Sequence, residues 1–246
     1  MKFDEIVSTA LDVLKGGGVI LYPTDTVWGI GCDATNEAAV QRIFAIKRRS
    51  ESKSLVLLAS DLDMICRYVK VIPQIAIDLV ELNDVPMTIV YPGAQGIAPS
   101  AVAEDGSVGI RIPLKAEGEC DGATDGRSGR GAERRVGKAS GCGAAGMAGA
   151  KAVKQPASFT GGELCRQIAR RPRRPLVSTS ANISGEPSPR CFEDISPEIA
   201  GAVDFVVPVN FGDGAGHSLS FDSSSSGRPS QIIKLGLRGE VEIIRK

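Results

Sequence analysis

Short apolar runs alternate with amphipathic segments along the first half of the chain, and this alternation limits the fold more than any other feature. Apolar residues recur at helical spacing between Phe3 and Leu14, and the glycine triplet at 16–18 predicts where that helix ends. The run 19–22 is too short for a helix and predicts a buried strand that ends at Pro23. Because strands dominate the later part, the sequence predicts an α/β domain with a twisted mixed sheet.

The remaining predicted elements follow the same pattern. Asn36 and Asp61 are suitable N-cap residues, and each precedes a segment with helical periodicity. The further predicted helices cover 36–47, 61–68, a segment after Pro73, 163–170 and a turn opening at Ser196. The further predicted strands cover 55–59, 87–91, 108–112, 175–179, 205–207, 232–235 and 241–244, the last two as a hairpin-like pair.

The stretch from 115 to about 160 interrupts this pattern. It is rich in Gly, Ala and small polar residues, and it contains no aromatic residue before Phe159. Such a composition buries too little apolar surface to offset its ordering entropy, so we expect a low-complexity insertion within one domain spanning 1–246. The alternative is an RNA-contacting arm, because the stretch carries basic residues at Arg127, Arg130, Arg134, Arg135 and Lys138. Interspersed acids dilute that charge.

Composition excludes several classes of protein. Lys plus Arg equals Asp plus Glu at 29 each, which argues against an overall basic nucleic-acid binder. The one histidine, His217, lies in a Gly/Ser-rich loop, so a histidine-based triad or metal site is not expected. No apolar run approaches the length of a membrane span, and acids interrupt the N-terminal apolar pattern. Six cysteines form no CxxC pair, and we expect reduced thiols in a cytoplasmic protein without membrane contact or a protein-bound metal.

Two segments in the first quarter of the chain carry clustered polar groups. In 22–34 a buried strand leads into Thr24, Asp25 and Thr26, which suits a small polar ligand, although a plain β-turn is the alternative. In 46–55 four cations follow a helix, at Lys47, Arg48, Arg49 and Lys53. The helix dipole accounts for one or two of them. A phosphate or carboxylate ligand would account for the whole cluster.

Two later segments complete the set. Arg111 falls inside an apolar strand, and a buried arginine needs an anion, either a partner carboxylate or a ligand. The segment 175–190 delivers hydroxyl and amide groups from the end of a strand: Ser178, Thr179, Ser180, Asn182 and Ser184. It has no nucleophile elbow and no nearby histidine, so we interpret these groups as hydrogen-bonding ligands, with a Ser/Thr-rich turn as the alternative.

The chain resembles the YrdC-type L-threonylcarbamoyladenylate synthases in four motifs that occur in this order: PTDTVWGIG, KRRSESKSL, SVGIRIP and STSANISG. The resemblance covers about 5–113 and 162–246 and is to the short, single-domain form. It implies a YrdC-like twisted mixed β-sheet with flanking helices around a concave basic cavity. The activity that it implies is a nucleotidyltransferase reaction, in which L-threonine, bicarbonate and ATP give threonylcarbamoyl-AMP and pyrophosphate for tRNA threonylcarbamoyladenosine modification.

The resemblance also implies roles for individual residues. The catalytic set is Lys47, Arg49, Ser180 and Asn182. The threonine-binding set is Thr26, Arg111, Ser180 and Ser230. The ATP-binding set is Arg49, Lys53, Ser107, Asn182, Arg190 and Arg245. The sequence departs from the family pattern at Ser50, where proline is frequent, at Leu58, where longer members have a polar residue, and at Arg190, which replaces a small hydroxyl residue.

Cofactors and partners follow from the same resemblance. ATP is a substrate, and Mg²⁺ is expected to arrive with it, because no acidic cluster forms a dedicated metal cage. tRNA or tRNA-modification proteins are expected downstream. An interpretation of a different class is a non-catalytic module that binds tRNA or double-stranded RNA through the same basic cavity. The sparse aromatic residues, 4% of the chain, argue against base stacking as the main role.

Overall fold

The computed structural model of the chain describes residues 2–49, 55–114, 160–208, 229–236 and 240–246. Within those ranges the helices are α1 (Phe3–Lys15), α2 (Glu37–Ile46), α3 (Leu62–Tyr68), α4 (Gln74–Leu82), α5 (Gly161–Arg170) and α6 (Pro197–Ala202). The strands are β1 (Ile20–Pro23), β2 (Trp28–Gly31), β3 (Val56–Leu58), β4 (Met87–Tyr91), β5 (Val108–Arg111), β6 (Leu176–Ser180), β7 (Phe205–Val206), β8 (Gln231–Leu235) and β9 (Val241–Arg245). Short 3₁₀ turns cover Pro99–Ala101 and Phe192–Asp194.

The described strands form one mixed sheet in the order β7-β1-β2-β6-β3-β5-β4-β8-β9. The pairs β1/β7, β3/β5 and β4/β8 are parallel, and the other neighbouring pairs are antiparallel. The predicted α/β class with a mixed sheet is therefore confirmed. None of the described helices has the length and apolar character needed to cross a bilayer.

The predicted cap residues begin their helices as expected. The side chain of Asn36 accepts a hydrogen bond from the amide of Ala39, and that of Asp61 accepts one from the amide of Met64. Helix α5 begins two residues before the predicted 163, because Thr160 serves as its N-cap and accepts from the amide of Glu163. Thr160 lies at the edge of the low-complexity stretch, so the sequence pattern did not identify it as a cap.

Strand β2 is the element that the sequence analysis missed. It pairs antiparallel with β1, so Thr24, Asp25 and Thr26 form the tip of a hairpin rather than a loop after a single strand. Glycines at 29 and 31 lower strand propensity and hid the element. Gly31 is required there, because a Cβ atom at this position would lie 2.1 Å from the Val177 carbonyl oxygen.

Helices cover one sheet face and part of the other. Side chains such as Leu57 and Ile110 point to α2, α3 and α4 and form the larger apolar core. On the opposite face Tyr22, Leu58 and Leu176 pack against α1 and α5. Beyond these two helices, none of the other described helices covers that face, and we call this part of it the open face. The strand registers turn the following residues toward it: Gly29, Val56, Thr88, Gly109, Arg111, Ser178, Ser180 and Ile232.

The described residues that flank the predicted insertion lie side by side. Residues 115–159 are outside the described residues, so the insertion stays a prediction. Leu114, the last described residue before them, contacts the start of α5, and a Cβ at Gly162 would lie 2.6 Å from the Leu114 carbonyl oxygen. A short connection could therefore join the flanking residues without moving either one.

This adjacency gives a prediction about deletion. Replacing 115–159 with a glycine-serine linker of about six residues should stabilise the domain by about 2 kcal/mol, because the shorter loop costs less closure entropy. Urea denaturation of the parent and the deletion variant measures the difference. A glycine-serine replacement of the original length serves as the control and should leave the stability close to that of the parent. If the deletion variant unfolds at a lower urea concentration than the parent, the prediction that the insertion is dispensable within a single domain is contradicted.

Candidate functional site

A cavity of about 320 Å³ lies on the open face of the sheet. Its charged lining consists of Arg49, Arg111 and Arg245, and no described carboxylate lines it. Hydroxyl groups make up most of the remaining polar lining, from Thr24, Thr26, Thr88, Ser178, Thr179, Ser180, Ser188 and Ser230. The cavity therefore combines positive charge with neutral hydrogen-bonding groups, a composition that suits an anionic ligand.

The structure brings together some of the predicted site residues and separates others. Those that line the cavity are Thr26, Arg49, Arg111, Ser180, Ser230 and Arg245. Asn182 and Arg190 line a neighbouring concavity instead. Ser107 donates to Asp105 at 2.5 Å and does not line the cavity. Lys53 and His217 lie outside the described residues.

Arg111 has the partner carboxylate that the sequence left open as one alternative for a buried arginine. It ends β5 and is only 4% exposed. Its Nη2 atom forms an ion pair of 2.8 Å with Oδ1 of Asp25, so a partner carboxylate exists. Its Nη1 atom is buried and has no hydrogen-bond partner among the described residues. A buried donor without a partner is costly, and Arg111 lines the cavity, so an anion there would compensate the guanidinium charge.

The hairpin tip positions the hydroxyl of Thr26. The hydroxyl of Thr24 donates to the Val27 carbonyl at 2.7 Å. The Thr24 hydroxyl also accepts from the amides of Thr26 and Val27, and it lies 3.0 Å from the Thr26 hydroxyl, a contact in which either oxygen can donate. Whichever oxygen donates, the Thr26 hydroxyl keeps an acceptor lone pair at the cavity. An ammonium or amine group is the matching ligand chemistry.

A second hydroxyl pair lies on the opposite wall of the cavity. The Oγ1 atom of Thr88 and the Oγ atom of Ser230 are 2.7 Å apart and buried. Arg245 donates from Nε and Nη2 to the carbonyl of Ser230 at 2.9 and 2.6 Å, which ties the end of β9 to this wall. Burial, and secondarily the charge of Arg111, lowers the pKa of Arg245. The sequence analysis missed Thr88, although a lone threonine within the apolar run MTIVY carries the same signal as Arg111.

Lys47 lies behind the cavity wall rather than in the cavity. The side chain is 2% exposed, and its Nζ atom donates to the carbonyls of Ser180 and Asn182 at 2.5 and 2.7 Å. A third contact, of 3.3 Å, reaches Oδ1 of Asn182, which also accepts from the Ser180 hydroxyl. Burial, reinforced by the charge of Arg49, lowers the pKa of Lys47 from 10.5 to about 8. Lys47 therefore holds the loop after β6 in place.

The two arginines after Lys47 point to different surroundings. Arg48 has a φ of 48°, a left-handed conformation that ends the helix, and its side chain forms an exposed ion pair of 2.6 Å with Glu198. Arg49 lines the cavity, and burial lowers its pKa. The cationic cluster thus contributes one side chain to the cavity, one to the loop after β6 and one to the surface. Helix-dipole pairing does not explain these placements.

Metal ligands are not clustered in the described part of the chain. Within it, no group of three or more His, Cys, Asp and Glu side chains could hold a metal ion.

Comparisons with known proteins agree with this architecture. The Sua5/YciO/YrdC family, described as "Telomere recombination", matches residues 12–116 and 158–246. A threonylcarbamoyl-AMP synthase of Stenotrophomonas maltophilia (strain K279a) is 31% identical over 205 residues, covering 82% of this chain and 84% of that protein. E. coli YciO is similar in structure, with a TM-score of 0.63, 17% identity, and coverage of 100% of this chain and 90% of that one. P. abyssi Sua5 complexed with L-threonine is similar in structure, with a TM-score of 0.61 and 21% identity, and the match covers 96% of this chain and 52% of the Sua5 chain.

The lowered pKa of Lys47 predicts a pH dependence of stability. Between pH of about 8 and 10.5 the unfolded state binds more protons at this site than the folded state. The contribution of Lys47 to the free energy of unfolding should therefore rise with pH across that window, by up to about 3 kcal/mol. Urea denaturation at several pH values, for the parent and for Lys47→Met, isolates the contribution, because the variant should lack the rise. Parallel pH profiles for the two proteins would contradict the assignment.

Proposed function

Because the chain belongs to the Sua5/YciO/YrdC family, we propose that it joins L-threonine, bicarbonate and ATP into threonylcarbamoyl-AMP and releases pyrophosphate. Relatives that are about 30% identical over most of the chain carry the name threonylcarbamoyl-AMP synthase. The enzyme is accordingly a transferase of the nucleotidyltransferase type in tRNA threonylcarbamoyladenosine biosynthesis. These names favour the enzyme over the non-catalytic RNA-binding module.

One observation supports this proposal most strongly. Among the described residues, the buried Nη1 of Arg111 has no hydrogen-bond partner, and the hydroxyl of Thr26 lines the same cavity as Arg111. An α-amino acid carries both complementary groups, a carboxylate for the guanidinium and an amine for the hydroxyl. We assign Thr26, Arg111, Ser180 and Ser230 to threonine on this basis. Arg49 and Arg245 then remain for the phosphates of ATP.

The reaction needs positioning rather than a protein nucleophile. The threonine amine attacks the carbon derived from bicarbonate, which gives a carbamate and releases water. A carbamate oxygen then attacks the α-phosphate of ATP, and the bond from that phosphorus to the bridging oxygen breaks as pyrophosphate leaves. The oxygens of the α-phosphate gain charge at that step, and the guanidinium of Arg49 is suited to stabilise it. The cavity holds the two reactants side by side.

Several assignments extend this proposal. Asn182, Arg190, Ser107 and Lys53 complete the ATP-binding set that the family resemblance implies. Lys47 belongs to the catalytic set through the loop it holds, which carries Ser180 and Asn182. Mg²⁺ arrives with ATP, the product passes to a tRNA-modification protein or tRNA, and the reaction takes place in the cytoplasm.

Two neighbouring arginines allow a matched test of the proposal. Arg49→Ala should lower threonine-dependent pyrophosphate release by about a hundredfold, because a cation at the reacting phosphate is lost. Arg48→Ala is the control, since that side chain pairs with Glu198 at the surface and does not line the cavity. Incubation with ATP, bicarbonate and each of several amino acids, followed by mass spectrometry, identifies the acyl adenylate formed. Equal activity in the two variants, or an adenylate formed equally with every amino acid, would contradict the proposal.

A further inference from the structure

Asp25 is the one carboxylate that contacts an arginine of the cavity wall among the described residues. Its side chain is only 10% exposed, and its Oδ1 atom lies 2.8 Å from Nη2 of Arg111. Its second oxygen, Oδ2, accepts a hydrogen bond of 3.2 Å from the amide of Leu114. Asp25 does not line the cavity itself. Its contacts connect the cavity arginine to the chain that leaves β5.

This ion pair restricts the rotation of the Arg111 guanidinium. A guanidinium is planar, so an anion that attracts Nη2 limits the directions in which Nη1 can point. Nη1 is the buried donor that lacks a partner among the described residues. Asp25 thus both orients that donor and compensates part of the arginine charge, while leaving one nitrogen unengaged.

The surroundings of Asp25 restrict its own movement. A Cβ at Gly162 would lie 3.4 Å from the Cβ of Asp25, and a Cβ at Gly161 would lie 2.5 Å from the Thr24 carbonyl oxygen. The start of α5 is therefore packed directly against the hairpin tip. Because two glycines allow this close approach, the carboxylate is held from the side of the helix as well as from Leu114.

We propose that Asp25 is a positioning residue for the amino-acid subsite, acting through Arg111 to aim Nη1 at the carboxylate of the substrate. The inference rests on the proposed function for the identity of that substrate. It adds a residue outside the cavity wall to the groups that determine affinity for threonine, and it assigns Asp25 no contact with ATP.

Steady-state kinetics of Asp25→Ala, with threonine and ATP varied separately, tests the proposal. We expect the KM for threonine to rise about ten- to a hundredfold, which corresponds to loss of a charge-assisted interaction. The KM for ATP should stay within about threefold of the parent value, because Arg49 and Arg245 are not altered. Asp25→Asn should give an intermediate KM for threonine, since the amide oxygen can still accept from the amide of Leu114 while the charge that attracts Arg111 is lost.

A matched control separates positioning from a general structural role. Asp33 is also an aspartate with little exposure, 9%, in an ion pair with an arginine, Arg174 at 2.7 Å, but it does not line the cavity or contact Arg111. Asp33→Ala should leave both KM values close to those of the parent. Calorimetric titration with L-threonine alone, without turnover, should show the same weakening for the Asp25 variants.

The possible outcomes distinguish this inference from the proposed function. An active parent enzyme with an unchanged threonine KM in Asp25→Ala would overturn the role of Asp25 alone. An equal rise in both KM values, or a lower kcat and melting temperature with both KM values unchanged, would overturn it too, because Asp25 would then be a purely structural residue. A parent chain that neither binds threonine nor releases pyrophosphate would overturn the proposed function and this inference together.

Discussion

A buried guanidinium on the open face of the sheet is the constraint on which the rest of the site depends. An arginine that is 4% exposed needs anions around it, and the fold supplies one carboxylate, from Asp25, on one nitrogen. The second nitrogen has no partner among the described residues, and Arg111 lines a cavity together with two further arginines. The protein thus leaves a charge partly uncompensated at a place where a small anion can enter.

The sheet topology explains why the ligand groups meet. Strands β3, β5 and β6 are neighbours in the centre of the sheet, although residues far apart in sequence form them. Their registers place Val56, Gly109 and Ser178 side by side on the open face, with Arg111 and Ser180 at the strand ends. Gly109 lines the cavity and leaves it open, since a side chain at this position would project into the cavity. Lys47 then secures the loop after β6 from behind, with two carbonyls and one amide oxygen.

Much of the fold and part of the site could be predicted from local sequence signals. The caps at Asn36 and Asp61, the end of α1 and most strands follow from patterns within a few residues. Arg111 and the Ser180 hydroxyl could be picked out because polar groups inside apolar strands are unusual. Strand β2 could not be predicted, because Gly31 is required by the close approach of the Val177 backbone on the neighbouring strand, a contact between residues far apart in the chain. Local patterns are also insufficient for Lys47. Its spacing with Arg49 predicts that the two share a site, but it does not predict that the Lys47 side chain contacts backbone carbonyls. The contacts of Asp25 with Arg111 and of Thr88 with Ser230 likewise join residues far apart in the chain, so local patterns do not reveal these partners.

A crystal structure with L-threonine and a non-hydrolysable ATP analogue bound together is the most direct test. It should show the threonine carboxylate within hydrogen-bonding distance of the Arg111 guanidinium, the amine at the Thr26 hydroxyl, and the α-phosphate next to Arg49. Threonine bound away from both Arg111 and Thr26, or an α-phosphate that does not contact Arg49, would be the contrary result.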